Sequence, residues 1–357
     1  MLHAAHRLVD WFAMWTEDQL ARKPEPFRSA SPSGLECFGP LPPLPAGPVL
    51  PGPWSAPSPL QTGAGPDRMA LTWIPAVGPS LGTVLLVPPW KISRPGLVSG
   101  WVELLAGAGR DVWLLTPPHH LERTLPGERS GEGFVSLDLS RLRLAFEQTI
   151  LEIRVCLALA AQRGGEVGLL GLSLGALAGA LAITAGEPID FAGLIAPPAD
   201  LALILSETRI GRRYRRLAAR AGSPLPELPA LRSALAPFSP GERRPRAGRL
   251  LIGAGLHDLI APASAAVSLA AAWDVKPRLY ARGHITLLFA CRAVRQDVLA
   301  LVSGDAAGSP ADPLPEMKLP LVYQRGQRTH SSPQGAAELD GEGRSTELSL
   351  DNGPQPG

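Results

Sequence analysis

The chain has little cysteine. Its 357 residues include three, Cys37, Cys156 and Cys291. They are scattered, with neither metal-ligand spacing nor the even number of a disulfide framework. A reducing, cytoplasmic setting is therefore expected. Excess charge is also missing. The formal net charge is +2, so no overall attraction to nucleic acid or to a membrane is implied. The first residues lack the pattern of a secretory leader, because Asp10, Glu17 and Asp18 interrupt any apolar run. No internal repeat is visible. The length suits one large domain or two small ones. Thirty-nine prolines and 38 glycines are many for a globular chain, and they concentrate in a few stretches.

Leu8, Trp11, Phe12 and Trp15 recur at helical spacing, so residues 3–21 read as an amphipathic helix packed on the body of the protein. Contact with a membrane surface is the weaker reading, because the polar face mixes acids and bases. Pro24 to Pro66 is rich in Pro, Gly and Ser, with apolar residues interspersed. It reads as an extended arm lying on the domain, so residues 1–66 form one N-terminal segment.

Strands are expected at Met69–Ile74, Gly82–Val87 and Asp111–Leu115, with a helix over Gly96–Ala106. A long loop follows, Thr116 to Ser136, and then a long helix, Leu139–Gln162, apolar along one face. After Asp190–Ile195, a helical insertion over 197–248 carries ten arginines against four acids. Arg249–Ala254 resumes the strands. Helix Pro262–Trp273, strand Pro277–Ala281 and a single helix Ile285–Val302 complete the alternation. Strands alternating with helices imply an α/β class with a doubly wound, mostly parallel sheet over 67–302. Residues 303–357 have little apolar periodicity and read as a disordered, mildly acidic tail.

The most informative stretch is Gly171-Leu172-Ser173-Leu174-Gly175. A short apolar run precedes it and a small, Ala/Leu-rich segment follows. That is strand, sharp turn, helix, with a serine at the tip. Residues two either side of the serine crowd each other, which suits glycine at 171 and 175. The backbone N–H of Leu174 points where an oxyanion would form. A competing reading is a membrane helix. Val167–Gly186 carries no charge and has small residues at Gly171, Gly175 and Gly179. Its glycines suit a turn better than one continuous helix.

An acid and a base follow in order. The strand before Gly255 runs into Asp258, and the next strand ends in Tyr280-Ala-Arg-Gly-His284. Taken alone, Asp258 could be a helix cap and His284 a loop residue. Taken together, Ser173, Asp258 and His284 each follow a strand end, where open sheets place their sites.

From about Met69 to Val302 the chain resembles the alpha/beta hydrolase superfamily, in a little-characterised abhydrolase-domain branch, with a cap at 197–248. The resemblance implies that Ser173 is the nucleophile, His284 the general base and Asp258 the residue orienting the imidazole. It implies a second oxyanion donor after Gly82–Val87, where members often have His-Gly. This chain has Pro88-Pro89-Trp90-Lys91 instead. Proline has no N–H, so the donor falls to Trp90. Pro-Pro-Trp here is also similar to the polyhydroxyalkanoate synthases, whose nucleophile is cysteine; this turn holds no cysteine.

His119 and His120 follow strand Asp111–Leu115, as pocket-lining residues or plain loop residues. They lack an evident third ligand, so no metal is expected. Arg212 and Arg213 lie in an arginine cluster with Arg209, Arg215, Arg216 and Arg220. It is either a solvated helical face or a site for an anionic head group or carboxylate. The expected function is a serine hydrolase acting on a small-molecule ester or thioester without cofactor. An acyltransferase on the same fold and a non-catalytic binding protein are the alternatives. Quaternary state is not legible.

Overall fold

The computed structural model describes residues 2–19, 24–29, 35–63 and 66–305. The disordered tail expected from 303 falls, from 306 onward, outside the described residues. In chain order the helices are α1 (Leu2–Gln19), α2 (Ser99–Gly107), α3 (Leu139–Ala161), α4 (Leu174–Ala185), α5 (Leu201–Glu207), α6 (Arg209–Arg220), α7 (Leu228–Leu235), α8 (Ala263–Ala272), α9 (His284–Ala290) and α10 (Arg292–Ser303). The strands are β1 (Gly52–Pro57), β2 (Arg68–Ile74), β3 (Gly82–Val87), β4 (Asp111–Thr116), β5 (Glu166–Leu172), β6 (Ile189–Ile195), β7 (Ala247–Gly255) and β8 (Arg278–Tyr280).

All eight strands form one sheet in the order β1-β2-β4-β3-β5-β6-β7-β8. Strands β3 to β8 are mutually parallel, while β2 runs antiparallel to both β1 and β4. This is a doubly wound, mostly parallel sheet, and the chain has the α/β hydrolase fold. Strand β3 shows why. Every residue of Gly82–Val87 is buried. Leu85 and Val87 join the core under α3 and α4, while Val84 and Leu86 join the core under α2 and α10. A strand buried on both faces needs apolar residues at every position, not alternate ones.

The uncharged stretch Val167–Gly186 is not one helix. It divides into β5 and α4 at Ser173. Among the described residues no helix is long and apolar enough to cross a membrane.

Three local expectations change. Proline conceals an edge strand in the arm: Pro53 and Pro57 lie in β1, opposite Thr72 and Arg68. An edge strand tolerates proline because one side needs no ladder partner. The long helix expected at 285–302 breaks at Cys291, which is extended (φ −99°, ψ 108°). Carbonyls near the break are taken up by other groups. Trp101 Nε1 donates to Leu288 O at 2.8 Å, and Arg295 donates to Phe289 O at 3.4 Å. Helix α3 is covered on more than one face. Arg154 on its polar side donates to Cys37 O and Gly39 O in the arm. Glu152 is fully buried, accepts from Ser58 Oγ, and forms a two-armed ion pair with Arg123 at 2.7 and 2.8 Å. Arg123 also donates to Pro66 O. One ion pair thus ties the long loop, the arm and α3 together.

Candidate active site

Because β3 and β5 to β8 are parallel, their carboxyl ends share one edge of the sheet. Strand order reverses direction at β3, and such switch points leave a crevice at the strand ends. Pro88–Trp90 follow β3, Ser173 follows β5, Asp258 follows β7 and His284 follows β8.

Ser173 has φ 52° and ψ −116°. That left-handed backbone costs a non-glycine residue about 1–3 kcal/mol and persists only where the surroundings enforce it. A Cβ on Gly171 would lie 2.5 Å from Gly175 O, and one on Gly175 would lie 2.2 Å from Val87 O. The turn can close only with glycine at both positions. Closure lifts the serine side chain off the strand end and starts α4 at Leu174. The first N–H groups of a helix have no intrahelical partner and carry its positive end.

His284 Nε2 lies 2.8 Å from Ser173 Oγ, and His284 Nδ1 lies 2.6 Å from Asp258 Oδ2. The two partners sit on opposite ring nitrogens, so the Asp258 carboxylate fixes the proton on Nδ1 and leaves Nε2 to accept. The other oxygen of Asp258 accepts from the backbone N–H of Ile260 and Ala261, at 2.8 and 2.7 Å. Asp258 therefore serves the histidine and its own loop at once. Burial disfavours the imidazolium of His284. The charge and hydrogen bond of Asp258, with the charge of Asp10, outweigh it and raise the pKa above its ordinary value.

Asp10 is a residue that sequence reasoning missed. It lies on α1, is fully buried, and accepts three backbone N–H groups. Oδ2 takes those of His284 (2.7 Å) and Leu259 (3.2 Å), and Oδ1 takes that of Ile285 (2.9 Å). One carboxylate thus joins the first turn of α9 to the loop bearing Asp258. Burial raises its pKa, against the pull of the N–H donors. A Cβ on Gly283 would meet Asp10 Oδ2 and His6 O at 2.7 Å, so glycine there lets α1 sit directly on the histidine loop. Spacing on α1 shows a helix, but nothing local links position 10 to position 284.

Trp90, Ser173 and Leu174 line one cavity. The indole of Trp90 donates to Gly131 O at 2.7 Å. The next residue, Lys91, has φ 61° and donates its backbone N–H to His120 Nε2 at 3.1 Å.

This corrects the pocket-lining reading of His119 and His120, since neither lines the cavity. His120 is fully buried, and its Nδ1 bonds Pro118 O at 2.8 Å. Burial lowers its pKa to about 4, so it stays neutral and can accept from Lys91. It braces the loop that carries Trp90. His119 turns toward Glu128, at 3.5 Å.

The cavity is apolar. Leu139, Leu142 and Phe146 come from α3, Leu201, Ile204 and Leu205 from α5, and Ile210 and Tyr214 from α6. The polar side chains among its lining are Ser136, Ser173 and Tyr214, and no charged side chain lines it. Arg212 and Arg213, expected as substrate-binding residues, are not among its lining. Apolar spacing turns Ile210 and Tyr214 inward, so Arg212 falls on the outer face of α6, in a separate groove, while Arg213 is buried. Among the described residues no group of three His, Cys, Asp or Glu could hold a metal ion.

No protein-family model matches the sequence, and no curated protein matches it. Solved structures do. An esterase of Pyrococcus furiosus is 16% identical, covers 74% of this chain and 98% of its own, with a TM-score of 0.49. A monoacylglycerol lipase of Paleococcus ferrophilus is 18% identical, covering 60% and 90%, with a TM-score of 0.40. A puromycin-hydrolysing peptidase of Mycobacterium tuberculosis is 16% identical, covering 72% and 39%, with a TM-score of 0.49. None reaches a TM-score of 0.5, so the reading of the site rests on this chain's own geometry.

Proposed function

We propose that the protein is a serine hydrolase that cleaves a carboxylic ester or thioester through an acyl-enzyme on Ser173. The observation that carries this reading is the ring of His284, held between Ser173 Oγ at 2.8 Å and Asp258 Oδ2 at 2.6 Å. A serine hydroxyl is a weak nucleophile until a positioned base takes its proton. His284 Nε2 accepts that proton as Oγ attacks the acyl carbon. The carbonyl oxygen becomes an oxyanion, for which the backbone N–H groups of Leu174 and Trp90 are the donors. The resulting imidazolium, stabilised by Asp258, returns the proton to the leaving alcohol or thiol. Water, deprotonated by the same nitrogen, then attacks the acyl-enzyme; the bond to Ser173 Oγ breaks, the imidazolium returns the proton to Oγ, and the acid is freed.

The apolar lining supports an uncharged, hydrocarbon-rich acyl group. Residues 67–302 form the catalytic domain in this reading, and 197–248 its cap. The three cysteines are unpaired and buried, which suits a reducing, cytoplasmic setting. A series of nitrophenyl esters graded by acyl length tests the reading. Turnover should rise with apolar length and then fall once the cavity is filled. Absence of turnover across the series, in protein that also resists fluorophosphonate, would remove the esterase reading.

A further inference from the structure

The cavity beside Ser173 adjoins a second one. The second, of about 160 Å³, lies between the start of α5, the end of α7 and the segment 236–242. Asp200, Arg232, Ser239 and Glu242 line it, so it is polar where the first is apolar. Two side chains, Leu201 and Leu235, line both spaces. They form the partition between them.

Each leucine is placed by its helix. Leu201 is the first residue of α5 and Leu235 the last of α7. Asp200 caps α5 through Oδ1, which accepts the backbone N–H of Leu203 at 2.8 Å. Its Oδ2 accepts from the Arg232 guanidinium of α7 at 3.2 Å. This ion pair fastens the start of α5 to α7, and so holds Leu201 at the partition. Leu235 is buried in one apolar cluster with Phe146 and Phe238, whose rings lie 5.2 Å apart. A close-packed wall of this kind yields little to an entering chain.

Size gives the partition its consequence. The cavity beside Ser173 measures about 110 Å³. An apolar cavity of about 150 Å³ holds one benzene, so this one holds roughly four or five carbons of a straight chain. A longer chain would have to displace the leucines. Beyond them it would meet the Asp200–Arg232 ion pair and the Glu242 carboxylate, whose desolvation opposes hydrocarbon.

We propose that Leu201 and Leu235 set the acyl-length limit of the site, and that its substrate carries a short acyl group of roughly four to six carbons. This deepens the ester-hydrolase reading and rests on it for the identity of the ligand. The partition itself is a property of the two cavities, so it can be measured by binding without turnover.

The test is the kcat/KM profile of the full-length chain on nitrophenyl esters from ethanoate to decanoate. In wild type it should rise by about fourfold per methylene to butanoate or hexanoate, and then fall. Leu235→Ala, and separately Leu201→Ala, open the partition. In each, the decanoate-to-butanoate ratio should rise by at least about tenfold. Leu235 is buried, and its truncation can unfold the protein. Leu201 is half-buried, so Leu201→Ala carries the test in that event. Ala236 lines the second cavity but not the first. Ala236→Leu alone should therefore leave the wild-type profile as it is. Added to Leu201→Ala, it should return the ratio toward wild type, which separates an opened partition from a merely enlarged cavity.

Binding is read in Ser173→Ala by calorimetry with straight-chain fatty acids from butanoate to decanoate. Affinity should grow with each methylene up to the same length and then level off, and adding Leu201→Ala should remove that break. If the break is present and moves while the wild type hydrolyses no ester, the partition stands and the catalytic reading falls. Wild-type turnover or affinity that climbs through decanoate would overturn the proposal. So would a ratio unmoved by Leu201→Ala, a shift that Ala236→Leu fails to reverse, or neither turnover nor binding at any length.

Discussion

At the residue scale, Asp10 and Asp258 divide the task of holding one histidine. Asp258 fixes the ring through Nδ1, and Asp10 fixes the backbone through the N–H of His284. Asp10→Asn turns an amide N–H toward backbone donors and removes a charge that raises the pKa of His284. A ring displaced by about an ångström costs on the order of 10²-fold in rate. The variant should lose kcat to about that extent with little change in KM, and the acid limb of its kcat/KM profile should move to lower pH. A rise in KM with kcat preserved would make Asp10 merely structural.

The same linkage fixes a pH dependence. A base must be neutral to act, and His284 is held above the ordinary histidine value of about 6.5. The acid limb of wild-type kcat/KM should therefore lie above about pH 6.5, and Asp258→Asn should lower it in whatever activity remains. The sign for stability is opposite. A group whose folded pKa is raised stabilises fully below its unfolded pKa and loses that contribution as pH rises through the folded value. The stability advantage of wild type over His284→Gln should accordingly shrink as pH rises through the limb on which activity grows. Parallel change of the two would contradict the assignment.

At the scale of elements, the readable parts were those with a local signature. Gly171 is required by crowding within the turn itself, against Gly175 and Ala176, whereas Gly175 is required by the close approach of Val87 and Pro88 at the end of β3; the sequence order of Ser173, Asp258 and His284 follows from strands that each end in a loop. Elements that depend on distant partners were not legible. Strand β1 was hidden by its prolines, which an edge position excuses. The break at Cys291 has no glycine or proline to announce it, and the compensating donors come from α2 and α10. His119 and His120 follow a strand end, as pocket residues often do, but only the loop's path shows that they turn away. The Arg123–Glu152 pair belongs to the same class. Removing one member leaves a buried charge alone, so Glu152→Ala should destabilise the protein by about 3–5 kcal/mol in urea unfolding. A loss below about 1 kcal/mol would show that the loop, the arm and α3 are held by other contacts.

At the scale of the whole molecule, one sheet edge gathers residues separated by more than a hundred positions. Ser173 and His284 lie 111 residues apart in sequence, and Asp10 and His284 lie 274 apart. That convergence gives the serine its chemistry, and it can be probed in a single reaction. The intact protein is treated with a fluorophosphonate, and its mass and labelled peptide are determined. The expected result is one phosphonyl group per chain, on Ser173. Labelling should disappear in Ser173→Ala and slow on the order of 10⁴-fold in His284→Ala, with the fold of both variants unchanged. Labelling at another residue, or a Ser173→Ala protein that labels like wild type, would contradict the assignment of Ser173 as nucleophile.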